Sequence, residues 1–575
     1  MTRNFRYLEG LAIAPGLLLF LAILSGCSDG VETPASDDLC FSEVTPITAI
    51  QGDGYYSPLE DSYQLVSGWV TRIEPGGYYI EQSGGDRQER SSRALFVEKH
   101  REARNLQIGQ LVVAGGKVEE TGERRDKMTS LVAIDRFARC ESSLPLPLSH
   151  ARLPLSNPER EALEGMRVIF EQDFVVSDVY SLYRGIATLS AGSALRIPTE
   201  DLRPGRESGN LEHNNRERSI NVRFGLQDDS PVPAGSPFEG LVGVLGHDGR
   251  NQLLLAESAL KSSAVTPEAL EPPEPGTLRV VNANLLNYFN GNGRGGGFPT
   301  ERGAESLGEF RAQQKRLGSA MERIRPDLLA VQELENDGFG PRSAARSLAE
   351  LLDGTGNGSY GIVERPEGRV GNDVISVGLF YRELALAPVG PSHTLDSEPF
   401  RDLNRQPLAQ LFRETGTGEE FLAVVNHLKS KGSCPDSGPN KRQDDGQGCW
   451  NPARVEAVDA LLHWVKRIAN EAGTDRVLIL GDMNAYRRED PIHAFRNGGY
   501  TELVESMSGQ PTYSYRHFGR AGTLDYAFAS PSMAALARQA RIWHINADWP
   551  RRMELPEPWL RMSDHDPVIV DFAFP

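Results

Sequence analysis

Ser563-Asp564-His565-Asp566-Pro567 sets two carboxylates around an imidazole just before the apolar run Val568-Ile569-Val570. Alone it is a polar turn entering a short strand. Four more polar clusters punctuate strand-like runs upstream: Asn284 in LRVVNAN, Gln332-Glu333 after PDLLAV, Asn426-His427 after FLAVV, and Gly481-Asp482-Met483-Asn484 after RVLIL. Thr523-Leu524-Asp525-Tyr526 adds a further piece. A sheet can aim such side chains from its strand ends into one cleft. Carboxylates, amides and two histidines, with no serine or cysteine nucleophile among them, suit metal-assisted hydrolysis of a phosphate ester. Each residue has a structural alternative. Glu333 reads equally as a helix N-terminal acid, Asp482 and Asn484 as a strand-terminating turn, and His427 as a satisfied core histidine. The ordered set favours chemistry.

The surrounding patterns say what must hold these groups. From Thr277 onward strand-like runs alternate with helical ones. Residues 310–324 and 452–469 are predicted to be amphipathic helices, and VISVGLFY, FLAVVNH and RVLILGD buried strands. This predicts an α/β sandwich over 277–575, rather than a doubly wound sheet. Upstream, residues 40–141 alternate apolar and polar between glycine-rich breaks, as in YQLVSGWVTRI and GYYIEQS, which fits a small β-barrel. After the linker SLPLPLSH, residues 150–268 form a second β-rich region that carries no chemistry-bearing motif. EPPEPG separates it from the C-terminal domain as a stiff connector.

At 575 residues the chain exceeds a single hydrophobic core and fits roughly three or four domains. Its 61 basic and 79 acidic residues give a net charge of −18, which argues against coating nucleic acid by bulk electrostatics. A local basic patch is still available in Lys429, Lys431, Lys441 and Arg442, with a solvated loop as the plainer reading. Arg3 and Arg6 precede the apolar stretch 11–23, which is too short to span a bilayer comfortably. Leu24-Ser25-Gly26-Cys27 then resembles the lipobox of bacterial lipoproteins, which implies cleavage before Cys27 and acylation of its thiol. An ordinary signal peptide is the alternative. Four cysteines remain, which favours two disulfides out of three possible pairings. Cys434 and Cys449 flank one polar loop, and Cys40 and Cys140 bracket the barrel as a clasp. None has the C-x-x-C spacing of a metal site.

The motifs NLLNYF (284–289), QELEND (332–337), NHLKSKG (426–432), DGQGCWNPAR (445–454), GDMNAYRREDPI (481–492), WHINAD (543–548) and SDHDP (563–567) resemble the endonuclease/exonuclease/phosphatase superfamily, with its deoxyribonuclease I-like fold. More narrowly they resemble the large secreted deoxyribonucleases of the ExeM/NucH type. The likeness covers about the last half of the chain, and extends weakly through IQGDG (50–54) and LEGMRV (163–168). It implies that Glu333 and Asp564 bind a metal, with Asn284 assisting at the metal or the phosphate. The oxygen ligands suit Mg²⁺ or Mn²⁺, with Ca²⁺ as another candidate. Asp482 would deprotonate the attacking water, and Asn484 would hold a non-bridging oxygen. His565, oriented by Asp525, would donate to the phosphate. His427 would be a second phosphate-facing imidazole, with Arg405, Lys429 and Lys431 binding substrate.

The resemblance further implies an OB-like barrel, in which Tyr78, Tyr79, Arg72 and Lys117 are candidates for single-strand binding or, more plainly, fold support. By the same analogy, Ser28 favours the outer membrane. Two departures stand out: Tyr526 occupies a place where the secreted enzymes often have histidine, and Trp549 one where an acid is usual. GNGRGGGF lacks the following helix of a nucleotide cradle, and the G-x-S-x-G match at 26–30 falls in the lipobox. The expected function is an extracellular, metal-dependent nuclease acting on DNA, with RNA as a second substrate, and lipid-anchored to a membrane. The alternative is a phosphodiesterase or phosphatase of the same fold acting on a lipid head group, inositol phosphate or nucleotide. A surface binding protein with a degenerate site is disfavoured, because every expected position holds a competent residue.

Overall fold

The computed structural model describes residues 39–84, 90–122, 127–141, 145–225, 231–249, 251–261, 266–365 and 367–575. Cys27 and the signal segment expected over 1–27 lie outside them. Among the described residues, no helix is long and apolar enough to cross a membrane.

From Leu278 two six-stranded sheets face each other. The first runs in the order Tyr360–Ile362, Ile375–Arg382, Leu328–Glu335, Leu278–Tyr288, Val568–Phe572, Ala537–Ile542. The second runs Leu386–Thr394, Arg405–Glu414, Glu420–His427, Val477–Asp482, Asp525–Ala529, Thr501–Glu502. Alternation along each strand decides the layers. Val280, Leu328, Leu408, Val425 and Leu480 fill the space between the sheets. Their neighbours Val281 and Leu329 face outward under the helices Leu307–Ile324 and Ala344–Asp353. On the other side Leu422 and Ile479 face the helices Asn451–Ala472 and Asp490–Asn497. Each central strand is buried on both faces, which is why it reads as a near-continuous apolar run. This is the α/β sandwich that the patterns predict.

The N-terminal strands Tyr63–Glu74, Gly77–Glu81, Ala94–Glu98, Met128–Cys140 and Leu111–Thr121 close a five-stranded barrel in that spatial order. Cys40 and Cys140 are bonded across its end, with Cα atoms 5.7 Å apart. The strand-binding candidates here are corrected. Tyr78 and Tyr79 are buried in packing clusters. Arg72 is spent on Glu74 and on the Leu255 and Ala256 carbonyls, and Lys117 on Asp61 and Glu119. Aromatic residues at strand spacing on a small barrel fill its walls.

Residues 149–256 supply an eight-stranded sheet that docks on both neighbours. Toward the barrel, fully buried Glu81 accepts from the Arg167 backbone N–H at 2.8 Å. Burial raises its carboxyl to about 7, against the opposing pull of that hydrogen bond and of Arg93. The native state therefore holds a proton that the unfolded chain releases above its ordinary range near 4.5. This contribution to stability is fully present below about 4.5 and is lost as pH rises through about 7, on the order of 3 kcal/mol at most. The melting temperature of the barrel-containing transition is expected to fall between pH 5 and pH 8, and Glu81→Gln should flatten that slope. An unchanged slope in the variant would assign the dependence elsewhere.

Toward the sandwich, Glu200 is buried, pairs with Arg487 at 2.9 Å and accepts from the Thr523 backbone N–H at 2.9 Å. Arg520 reaches Glu212 at 2.9 Å, and Arg196 forms a parallel bridge to Ala521. The middle sheet thus grips the two segments that flank Asp482 and Asp525.

Candidate active site

The second sheet lines up four candidate residues in one register row at its cleft edge. Arg405 pairs with His427, His427 with Asp482, and Asp482 with Asp525. Neighbours in a row share a face, so side chains scattered over 121 sequence positions converge (405 to 525). The row depends on Gly481. Its φ is +150°, and a Cβ there would meet the Asn426 carbonyl oxygen at 2.1 Å. Only glycine permits the close approach that brings Asp482 beside His427.

The first sheet closes the cleft from the opposite side. Glu333 follows an irregularity between Val331 and Leu334 and has φ +61°, so its carboxylate leaves the ladder and accepts from the Asn287 N–H at 2.9 Å. Asn484 has φ +47° and donates its amide to the Leu428 carbonyl at 3.1 Å. Left-handed backbone at two candidate residues is local strain of the kind concentrated at functional sites.

His565 sits on the turn before Val568–Phe572 but reaches across to the other sheet. Its Nδ1 lies 2.7 Å from Asp525 Oδ2, which also accepts from Ser514 Oγ at 2.6 Å. Burial disfavours the imidazolium, but Asp525, Asp482 and Asp564 outweigh it and hold His565 well above its ordinary value. His427 goes the other way. Burial first, then Arg405, His565 and Arg302, push it well below its usual range, and its buried Nδ1 has no partner. Their surroundings thus push the two imidazoles in opposite directions, His427 toward the neutral form and His565 toward the imidazolium. Asp482, 3.6 Å from His427 Nε2, is raised by burial to about 7. Environments that separate like groups in this way divide acid and base roles.

Glu333 is raised by burial and then by the Asp564 carboxylate. Two mutually repelling carboxylates in one cleft are a donor set that an Mg²⁺-like cation relieves. Asn284, buried between them and Asp482, directs Nδ2 to Asp482 Oδ2 at 3.3 Å, while its Oδ1 accepts from Leu286 N. In this orientation it positions carboxylates, and its Oδ1 keeps a second lone pair for a cation or phosphate partner. Asp482, Asp525 and His565 also bring ligand atoms within 4.8 Å of one another. The Asp525–His565 hydrogen bond in that group suits proton handling, and Glu333 with Asp564 is a second acidic pair that could hold a cation.

The basic loop splits. Lys429 Nζ lies 4.9 Å over the Trp450 ring and is near enough to act on His427. Lys431 is committed elsewhere, paired with buried Glu489 and bonded to the Gln447 carbonyl at 2.6 Å. Burial lowers its ammonium to about 8. Arg405 holds Asp373 at 3.0 Å and the Leu428 carbonyl at 3.4 Å, which fixes its fork at the cleft wall. Cys434 and Cys449 are bonded, with Cα atoms 5.5 Å apart. Cys434→Ser with Cys449→Ser is expected to lower the melting temperature, because the cross-link restrains a loop worth about 3 kcal/mol in closure entropy. An unchanged melting temperature would show that the cross-link adds nothing to stability.

Residues that sequence reasoning missed are Ser514, Tyr515 and Arg302. Ser514 braces Asp525, and the Tyr515 ring lies 4.5 Å from that of His565. The hydroxyl and aromatic alternation of PTYSYR (511–516) was the only signal for Ser514 and Tyr515, and nothing around Arg302 marked it. WHINAD holds the SDHDP turn. Asn546 donates its side chain to the His565 carbonyl, and Asp566 accepts from Asn546 N at 2.6 Å and Ala547 N at 3.1 Å. Trp549 is buried in the helix-covered cluster, and Tyr526 donates to the Ala485 and Thr523 carbonyls, so both are structural.

Two facing sheets with an Asp–His pair, a third carboxylate beside it and an acidic pair opposite define a hydrolase domain of the deoxyribonuclease I-like class. Residues 287–565 match the Endonuclease/Exonuclease/phosphatase family, and the C-terminal half of the chain carries a domain of that superfamily. Similar solved structures include the human Nocturnin catalytic domain with bound sulfate anion, at 19% identity, covering 53% of this chain and 97% of that one, TM-score 0.35. A mannosyl-6-phosphatase of Bacteroides thetaiotaomicron gives 18% identity, 52% and 100% coverage, and TM-score 0.35. D. rerio TDP2 complexed with single strand DNA product gives 13% identity, 52% and 98% coverage, and TM-score 0.32. No curated protein matches the chain.

Proposed function

We propose that this protein is a divalent-metal-dependent nuclease of the secreted ExeM/NucH type that hydrolyses DNA, and RNA as a second substrate, with endonucleolytic attack. The observation that carries this reading is the Asp525–His565 pair at 2.7 Å, with Asp482 on the same cleft edge and Glu333 with Asp564 opposite. Held by Glu333 and Asp564, a divalent cation would neutralise phosphate charge and ease departure of the leaving oxygen. The chain does the rest. Asp482 accepts a proton from water as the new P–O bond forms and the ester P–O bond breaks. Imidazolium His565, kept in orientation by Asp525, donates to a phosphate oxygen. Asn484 and neutral His427 fix the remaining oxygens, and Arg405 and Lys429 offset charge at the wall.

The five-stranded barrel is read as OB-like, a reading supported by its closure and its single parallel pair, Ala94–Glu98 beside Met128–Cys140. Export and lipid anchoring at Cys27, with outer-membrane placement, rest on the lipobox. Cys27→Ser should move the protein from the detergent phase to the aqueous phase in detergent partitioning, and retention in the detergent phase would remove the anchor. The function itself is tested by incubating full-length protein with circular plasmid, linear DNA, RNA and phosphorylated head groups, with and without EDTA. Nicking and linearisation of plasmid that stops with EDTA is the expected result. Hydrolysis of head groups or nucleotides alone would replace the nuclease with the phosphatase reading.

A further inference from the structure

A line of rings leads out of the active site. The His565 ring lies 4.5 Å from Tyr515, Tyr515 lies 6.4 Å from His517, and His517 lies 4.5 Å from Phe518. The last three belong to one hairpin, Tyr515–His517 paired with Arg520–Gly522. Phe518 stands at its tip, 74% exposed, with φ +47°. Asparagine or glycine would take that backbone at little cost. A bulky aromatic held there, in water, is opposed by both solvation and conformation.

The middle sheet fixes where this tip points. A Cβ on Gly519 would sit 2.8 Å from the Asp178 Cβ, so the turn lies against the end of strand Phe174–Asp178. Two residues on, Tyr180 is 54% exposed under the Arg551 guanidinium, 3.7 Å from its ring centre. Arg551 and Arg552 also approach Tyr183, at 5.2 and 5.6 Å. Neither has a carboxylate at ion-pair distance among the described residues, and Arg551 donates instead to the Tyr180 carbonyl at 3.3 Å and the Tyr183 hydroxyl at 3.2 Å. Desolvation pushes the Tyr183 phenol up, yet Arg184, Arg551 and Arg552 bring it below its ordinary value. Three arginines thus stand together here on a chain of net charge −18.

We infer that Phe518 and Tyr180, with Arg551 and Arg552, form a stacking platform for unpaired bases of a single-stranded nucleic acid leading to the scissile phosphate. Exposed rings beside guanidiniums that hold no carboxylate offer π-faces for bases and charge for the phosphates between them, without selecting sequence. A duplex, its bases already stacked, gains only the charge. The inference rests on the nuclease reading and deepens it to a strand preference set by the seam between two domains.

The test uses full-length protein in EDTA and a short fluorescein-labelled single-stranded oligodeoxynucleotide, read by polarisation. Phe518→Leu is expected to weaken binding about tenfold, and Phe518→Tyr to hold it within about twofold, because the ring and not its bulk is needed. Arg552→Gln should reduce the slope of log Kd against log salt by about one. A blunt hairpin duplex should respond to Arg552→Gln but not to Phe518→Leu. Parent protein that cuts plasmid while Phe518→Leu binds single strands normally would overturn the platform and leave the nuclease standing. Equal losses for duplex and single strand would overturn the strand preference. Binding of phosphatidylglycerol vesicles, but not oligonucleotide, at this surface would make it a membrane site. Parent protein that neither cuts nor binds nucleic acid would overturn both readings.

Discussion

His565→Ala and Asp482→Ala are each expected to lower kcat on DNA by about 10³–10⁴-fold while circular dichroism and melting temperature stay near the parent's. Both side chains face the cleft and neither fills the sheet core, so loss of the proton donor or of the base is not a packing defect. Asp525 and His565 act as a unit through their 2.7 Å contact, so adding Asp525→Ala to His565→Ala should cost little more. Asp525→Asn is the sharper probe. Against the cost of burial, Asp525 is the first of the charges that hold His565 protonated, and the imidazolium is the required form. Activity therefore falls as pH rises through the His565 value, and in Asp525→Asn that alkaline limb should move to lower pH. On the acid side, Asp482 must be ionised, so the parent's rate should fall as pH drops through about 7. Steady-state pH profiles of the parent and of Asp525→Asn decide the matter. A His565→Ala protein with half the parent's rate would sink the assignment.

Chelation should abolish hydrolysis, and Mg²⁺ or Mn²⁺ should restore it. Two measurements besides activity separate a cation site from an ordinary acidic pair. In excess cation the parent's melting temperature should rise, since about 100 Kd of a ligand that binds only the native state adds about 2.7 kcal/mol. Glu333→Gln and Asp564→Asn should lose that rise. In EDTA the sign reverses. Asp564 raises Glu333 by repulsion, so neutralising either carboxylate should leave the apo protein as stable as the parent or more so. Both variants should need at least about tenfold more Mg²⁺ for half-maximal rate, as expected when a charged ligand is removed. A cation-induced rise in melting temperature that survives in both variants would place the cation elsewhere, with the Asp482, Asp525 and His565 cluster as the next candidate.

The strands and helices of the sandwich were legible because burial on both faces leaves apolar runs, and turns at their ends leave polar residues. FLAVVNH and RVLILGD therefore announced strands that end in chemistry. The four-cysteine count likewise anticipated two disulfides, and the cysteines' places around one loop and one barrel anticipated Cys434–Cys449 and Cys40–Cys140. Lys431 could not be read in the same way. A lysine in a basic loop looks solvated until a buried acid from beyond the loop, Glu489, is seen to hold it. Tyr78 and Tyr79 looked available for stacking until barrel closure turned them inward.

The sequence by itself determined the local grammar: which runs are strands, which polar residues end them, and which class of chemistry those residues suit. Only the tertiary structure decided the partners. Register between parallel and antiparallel strands set Arg405, His427, Asp482 and Asp525 in one row, and the cross-sheet reach of His565 gave Asp525 its role. It also gave residues 149–256 a function that no motif announced, bracing the Asp525 segment through Glu200 and Thr523. The physical reason is that periodicity is a property of one segment and its solvent. Register, protonation state and the seam between domains arise from charges and backbones brought together from distant parts of the chain.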